Sequence, residues 1–289
     1  MLLVSKFGKL LKGGMLLYWV VKDDTIMMLK YTSLKQKDLD YLSFILRNGM
    51  VTAKQLMLKF REPNIHRVYR RLRKLEKHKF VKHERIAHKV GVYLGTIDAR
   101  KITDVNVTVP NKATIYTMQH DLLINDLILF YEIQSEKQGV DFRYRTEREI
   151  RFSMIGEGDN QSKLKAYNDK RDRIPDAVFF FKSADGKVTT SWIELELNKK
   201  DRKRYDDKFK LFDRILSGER YEDQSYSYDQ VIYFANDVKI HNVINEAKQR
   251  LLNASKISVR KVPSIILEDR WEEVLPVGAI DGETGTETE

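Results

Sequence analysis

The segment Asn64–His78, NIHRVYRRLRKLEKH, decides how the first third of this chain is read. Its apolar residues Ile65, Val68, Leu72 and Leu75 are spaced 3, 4 and 3, which forms one narrow stripe along a helix. Opposite the stripe lie His66, Arg67, Arg70, Arg73, Lys74 and Lys77, with Arg71 on the flank, and Glu76 is the sole acid of the segment. So many like charges on one helix repel one another unless a polyanion compensates them. Arginine holds guanine O6 and N7 with two hydrogen bonds, and lysine neutralises phosphate. The pattern therefore predicts a helix that enters the major groove of double-stranded DNA.

The flanking sequence fits that reading. Gln36–Asn48 carries Leu39, Leu42, Phe44, Ile45 and Leu46 at mostly helical spacing and stops at Asn48-Gly49. Thr52 and Gln55 form a capping-box pair at the start of a short helix over Ala53–Phe60. Arg61-Glu62-Pro63-Asn64 then breaks the chain before the cationic helix. Next, Phe80–Ile86 and Val90–Thr96 alternate around Ala87-His88-Lys89 as a two-stranded hairpin, a wing that offers Lys82 and Lys89 to the phosphate backbone. Residues 34–100 thus read as a winged helix-turn-helix. Reading a palindrome with it calls for a homodimer.

Charge divides the same way. The chain has 289 residues and a net charge of +10, of which +14 falls in residues 1–100 and −4 in the remainder. One module supplies affinity for a polyanion and the other does something else. The absence of cysteine excludes disulfides, thiolate metal sites and cysteine nucleophiles, and it suits a reducing cytoplasm. The apolar run Met15–Val21 is far short of the ~20 residues a membrane span needs, so no membrane association is expected.

Residues 1–33 receive no role: Met1–Leu11 suits an amphipathic helix, and Leu16–Val21 with Thr25–Tyr31 a hairpin around Lys22-Asp23-Asp24. Residues 101–117, with Pro110-Asn111, read as a linker. Residues 118–262 alternate helices and strands, opening with a helix over Met118–Lys137 that has one broad apolar face. Strand signals follow at 142–154, 174–181, 191–198, 229–235 and 257–262, with helices at 202–217 and 240–254. Residues 263–289 form a C-terminal extension that ends in the acidic tail Asp281–Glu289. The whole is an α+β chain with a mixed second unit.

Two acidic elements stand in apolar strands, where an unpaired carboxylate is costly. Ile174-Pro175-Asp176-Ala177 leads into Val178-Phe179-Phe180-Phe181. Trp192-Ile193-Glu194-Leu195-Glu196-Leu197 places Glu194 and Glu196 on one strand face and Ile193, Leu195 and Leu197 on the other. A hairpin closing at Ala184-Asp185-Gly186-Lys187 would set Asp176 beside Glu194. With Lys199 or Lys200 at the edge, these acids compose a hard oxygen site for Mg2+ or Mn2+ that activates water against a phosphodiester. The competing reading is a polar strand face paired with Arg171, Arg173 or Lys199. Arg202–Ser217 sets Tyr205, Phe209, Phe212 and Leu216 toward a core and Arg202, Lys203, Lys208 and Lys210 outward. No glycine loop for phosphate is present.

This order of elements, with its Pro-Asp strand and its Glu-x-Glu strand ending in lysines, resembles the restriction-endonuclease-like PD-(D/E)xK nuclease fold. More narrowly, Val68–Leu75, His120-Asp121-Leu122, Arg145-Thr146-Glu147-Arg148-Glu149, Ile174–Ala177 and Glu194–Leu197 are together similar to the replication-relaxation family of plasmids and other mobile elements. The resemblance implies a role in plasmid replication, DNA relaxation or mobilisation beside a relaxase or replication protein. It also implies that Asp176, Glu194 and Lys199 are catalytic and that Asp176, Glu194, Glu196 and Glu147 hold Mg2+ or Mn2+, if the nuclease-like domain cleaves. Otherwise no cofactor is needed. Glu196 stands where the nuclease pattern has lysine, so loss of cleavage is equally compatible. An active endonuclease or nicking enzyme and a winged-helix transcription regulator are the alternatives.

Overall fold

The computed structural model describes residues 7–12, 15–22, 25–30, 34–86, 90–155, 167, 170–219 and 226–275. The chain is a mixed α+β protein. Three strands come first, β1 (Phe7–Lys12), β2 (Met15–Lys22) and β3 (Thr25–Lys30), joined as an antiparallel sheet in that order. The expected hairpin is present. The helix expected over Met1–Leu11 is not formed in its described part, residues 7–11, because Phe7–Lys12 pairs along its length with Met15–Val20. A single short helix is marginal, whereas pairing with the β-prone Tyr18-Trp19-Val20-Val21 supplies a partner for the backbone.

The next unit comprises α1 (Gln36–Asn48), β4 (Met50–Val51), α2 (Ala53–Phe60), α3 (Ile65–Lys77), β5 (Val81–Ile86) and β6 (Val90–Gly95), with strand order β4-β6-β5. Local chemistry fixes these boundaries. Gly49 leaves α1 at φ +80°, a conformation that side chains disfavour. Thr52 Oγ1 accepts from Gln55 N while Gln55 Oε1 accepts from Thr52 N, so α2 starts on the expected capping box. Asn64 caps α3 by accepting from Arg67 N at 3.1 Å. Val68, Leu72 and Leu75 of the stripe are buried against α1 and α2.

A helical turn, α4 (Ile97–Ile102), follows. Residues 103–114 have no regular structure, yet Val107 is fully buried, and Thr108 O and Ala113 N bond to Arg148 and Glu84. Helix α5 (Ile115–Lys137) differs from the one-faced helix its sequence suggests. Ile124, Leu127, Ile128, Leu129 and Ile133 are buried, and so are Asn125 and Ser135 on other faces. The reason is its place between two bodies: α2 and β4 pack on one side and the large sheet on the other.

That sheet has the order β11-β10-β9-β8-β7, from β7 (Asp141–Thr146), β8 (Ala177–Lys182), β9 (Val188–Leu195), β10 (Gln230–Phe234) and β11 (Ile257–Arg260). The β7-β8-β9 meander is antiparallel, and β10 and β11 join in parallel through α7 (Arg202–Leu216) and α8 (Val238–Lys248). Ala177, Phe179, Ile193, Leu195, Ile232 and Phe234 face α5, and Val178, Trp192, Val231 and Tyr233 face α7 and α8. The strand signal at 142–154 resolves into β7 and then α6 (Glu147–Ile155). The cause is a second capping box: Thr146 N donates to Glu149 Oε2 and Glu149 N donates to Thr146 Oγ1.

The extension after residue 262 begins with α9 (Ser264–Leu267) and returns Ile266, Trp271 and Val274 to the core shared by α1, α2 and α5. The acidic tail Asp281–Glu289 lies outside the described residues, as does Lys89. No helix among the described residues is long and apolar enough to cross a membrane.

Candidate functional site

Two features concentrate chemistry. The first is the outer face of α3, where His66, Arg67, Arg70, Arg73 and Lys77 are exposed, with Lys82 on the adjoining β5. None of these six forms an ion pair among the described residues. Arg71, expected on the flank of this face, and Lys74, expected on the face itself, are engaged elsewhere. Arg71 Nη1 pairs with Asp38 Oδ1 and Lys74 Nζ lies 2.6 Å from Asp38 Oδ2. Asp38, on α1, is fully buried. Burial pushes its carboxyl up, but hydrogen bonds from Lys35 N, Lys74 and Arg71 outweigh this and hold it below the ordinary value.

The second feature is the carboxylate cluster at the end of β8 and β9. Asp176 stands directly before β8, and the register Ala177↔Ile193 sets it beside Glu194, as the hairpin reading required. Each acid has a protein cation. Asp176 Oδ2 accepts from Leu195 N at 2.7 Å and lies 3.3 Å from His120 Nε2 of α5. Glu194 Oε1 accepts from Trp192 Nε1 at 2.5 Å and from Lys208 Nζ of α7 at 2.9 Å. Glu196 Oε2 pairs with Lys200 Nζ at 2.7 Å. Beside Glu194 and Glu196 opens a cavity of about 460 Å3, rimmed by Arg173, Lys200, Arg204 and Lys208.

The electrostatics follow from burial and pairing. Burial raises the Glu194 carboxyl, and the neighbouring Asp176 adds to this against the pull of Lys208. Burial likewise raises Glu196, opposed by Lys200. Burial also raises Asp176, but here it is outweighed by His120 and the Leu195 amide, and the carboxyl ends below its ordinary range. Burial disfavours the His120 imidazolium, yet Asp121 and Asp176 override it and the group is raised to about 11.

The remaining expected site residues are placed differently. Lys199 is exposed and borders another cavity, on the side of α8. Glu147 N donates to Asp176 O at 3.1 Å, but the Glu147 carboxylate pairs with Arg151 one turn along α6. Sequence reasoning gave neither His120 nor Lys208 a role in the carboxylate cluster and read Lys208 as one of the outward cations that could touch a phosphate backbone. His120 stood in a quoted motif. Lys208 stood on a helix face read as outward, and its only local signal was its place beside the aromatic positions of α7. Its ammonium in fact lies 5.2 Å from the Trp192 ring centre.

Hard carboxylate oxygens are the right donors for Mg2+ or Mn2+. Among the described residues, however, no three His, Asp or Glu side chains are grouped so as to hold a metal ion. Because each acid already carries a protein cation, the residues as placed do not fit a divalent ion. What the arrangement does do is tie α5, α7 and the chain after β9 to one end of the sheet. Scans against protein-family models, curated proteins and solved structures return no match for the chain.

Proposed function

We propose that this protein binds double-stranded DNA through the outer face of α3. One observation carries the reading: His66, Arg67, Arg70, Arg73 and Lys77 are exposed on one helix, with no carboxylate partner among the described residues. Such a face is unfavourable alone and favourable against phosphates. The order α1-α2-α3-β5-β6 supports it, being the order of a winged helix with β5–β6 as the wing. The order α5-β7-α6-β8-β9-α7-β10, with acids at the ends of β8 and β9, agrees with a PD-(D/E)xK nuclease-like unit. On this reading that unit is a non-cleaving scaffold, and the protein serves replication, relaxation or mobilisation of a plasmid or other mobile element, as the resemblance to the replication-relaxation family implies.

Fluorescence anisotropy with a labelled duplex at 50–200 mM salt tests the reading. The wild-type protein is expected to lose affinity steeply with salt, and Arg67→Ala/Arg70→Ala/Arg73→Ala to lose most of its binding at every salt concentration. Undiminished binding by the triple variant sinks the assignment of α3. Supercoiled plasmid incubated with the protein and Mg2+ or Mn2+ is expected to stay intact. Nicked product that vanishes in both Asp176→Ala and Glu194→Ala overturns the scaffold reading in favour of a metal-dependent nuclease.

A further inference from the structure

We propose that Asp38 is a positioning residue for the α3 face, withdrawing Arg71 and Lys74 from DNA and leaving Arg67, Arg70, Arg73 and Lys77 as the backbone-contacting cations. The inference rests on the DNA-binding reading above and adds to it which cations act. Its basis is the geometry around one buried carboxylate.

Both Asp38 oxygens are committed. Oδ1 takes Arg71, and Oδ2 takes Lys74 as well as Lys35 N at 2.8 Å, the amide that precedes the first turn of α1. The carboxylate therefore sits at the N-terminus of α1, where the exposed amides and the helix dipole favour a negative charge. Arg71 is held a second way, with its guanidinium 5.1 Å from the Tyr41 ring centre. Tyr41 OH donates in turn to Glu62 Oε1, which pairs with Lys37 at 2.7 Å. The chain of contacts runs from α1 through the end of α2 to the flank of α3. Turning either cation toward a phosphate would leave the buried Asp38 short of a partner, a change that costs more than one surface phosphate contact returns.

A helix with six cations would otherwise dock in several rotations about its axis. Fixing two of them on α1 leaves one face to meet the groove. Asp38 thus sets the number of phosphate contacts.

The salt dependence of duplex binding reads this number, because each phosphate contact contributes about 0.9 to the slope of log K against log salt. Arg71→Ala and Lys74→Ala are expected to keep the wild-type slope, and Arg70→Ala and Arg73→Ala each to flatten it by about 0.9. Asp38→Asn, which keeps the side-chain size and removes the charge, is expected to steepen it by up to about 1.8 as both cations are released. A general structural defect would weaken binding without steepening the slope. Flattening by Arg71→Ala or Lys74→Ala overturns the proposal, as does an unchanged slope in folded Asp38→Asn. Should Asp38→Asn fail to fold, the Arg71 and Lys74 variants decide alone. If the wild-type protein binds no duplex, the DNA reading itself fails and this assignment falls with it; that outcome differs from binding with the wrong slope.

Discussion

Gln55 of α2 and Asp126 of α5 meet across the boundary between the two units, with Gln55 Nε2 2.9 Å from Asp126 Oδ1. The same amide group donates to Leu122 O at 2.9 Å, while Gln55 Oε1 still serves the capping box of α2. Nearby, Asn125 Nδ2 donates to Met50 O, Arg47 pairs with Glu149, and Thr146 Oγ1 donates to Arg47 O. The cationic helix and the carboxylate cluster therefore belong to one packed body.

Asp126 makes that boundary sensitive to pH. Burial raises its carboxyl to about 7, opposed by the Gln55 hydrogen bond and by Lys54, while Asp269 adds to the rise. The unfolded chain ionises near 3.8 and the folded one near 7, so between these values the folded state holds the extra proton and stability falls as pH rises. Asp126→Asn retains an acceptor for Gln55 and removes the charge. It is expected to melt several degrees above the wild-type protein at pH 8 and close to it at pH 4. A variant that melts lower at both pH values refutes this account.

Lys208 compensates a carboxylate that burial already disfavours in its charged form. Lys208→Met keeps the packing on Trp192 and Phe212 but leaves Glu194 with the indole donor alone. The expected loss is about 3 kcal/mol at pH 8, the lower end for breaking a buried pair. It should shrink toward pH 5, where Glu194 can take up a proton in the variant. Urea unfolding at the two pH values measures both, and equal losses would show that Lys208 acts through packing only.

Gly49 joins α1 to β4 at a point where a side chain has no room. A Cβ there would collide with the Arg148 guanidinium, and the backbone is already at φ +80°. Gly49→Ala is expected to destabilise the fold by about 1–3 kcal/mol, most of it backbone strain. Adding Arg148→Ala relieves the clash and not the strain, so only partial recovery is expected in thermal melts. Full recovery would assign the cost to the clash.

Much of the fold was legible because its signals are local. The spacing of Val68, Leu72 and Leu75, the Thr52–Gln55 box and the Gly49 stop all act within one helical turn, and α1, α2 and α3 begin and end where those residues place them. Alternation in β9 separated Glu194 from Ile193 and Leu195, although both faces of the strand proved buried, and the turn at Asp185-Gly186 set Asp176 beside Glu194. The box at Thr146 and Glu149 was equally local. It was obscured by the strand-like residues before it, and α6 was read as a strand.

What the sequence determined by itself is therefore which face of each element is apolar, where caps and turns fall, and which acids share a sheet end. Periodicity of 3.6 or 2 assigns a side chain to a face, but it does not name what the face meets. Only the tertiary structure decided that Arg71 and Lys74 turn to Asp38, more than thirty residues earlier, and that His120 and Lys208 arrive from separate helices to neutralise Asp176 and Glu194. It likewise decided that α5 is buried on several sides. Burying a charge demands a partner, and the partner is whatever the packing brings within about 3 Å, wherever it lies in the chain.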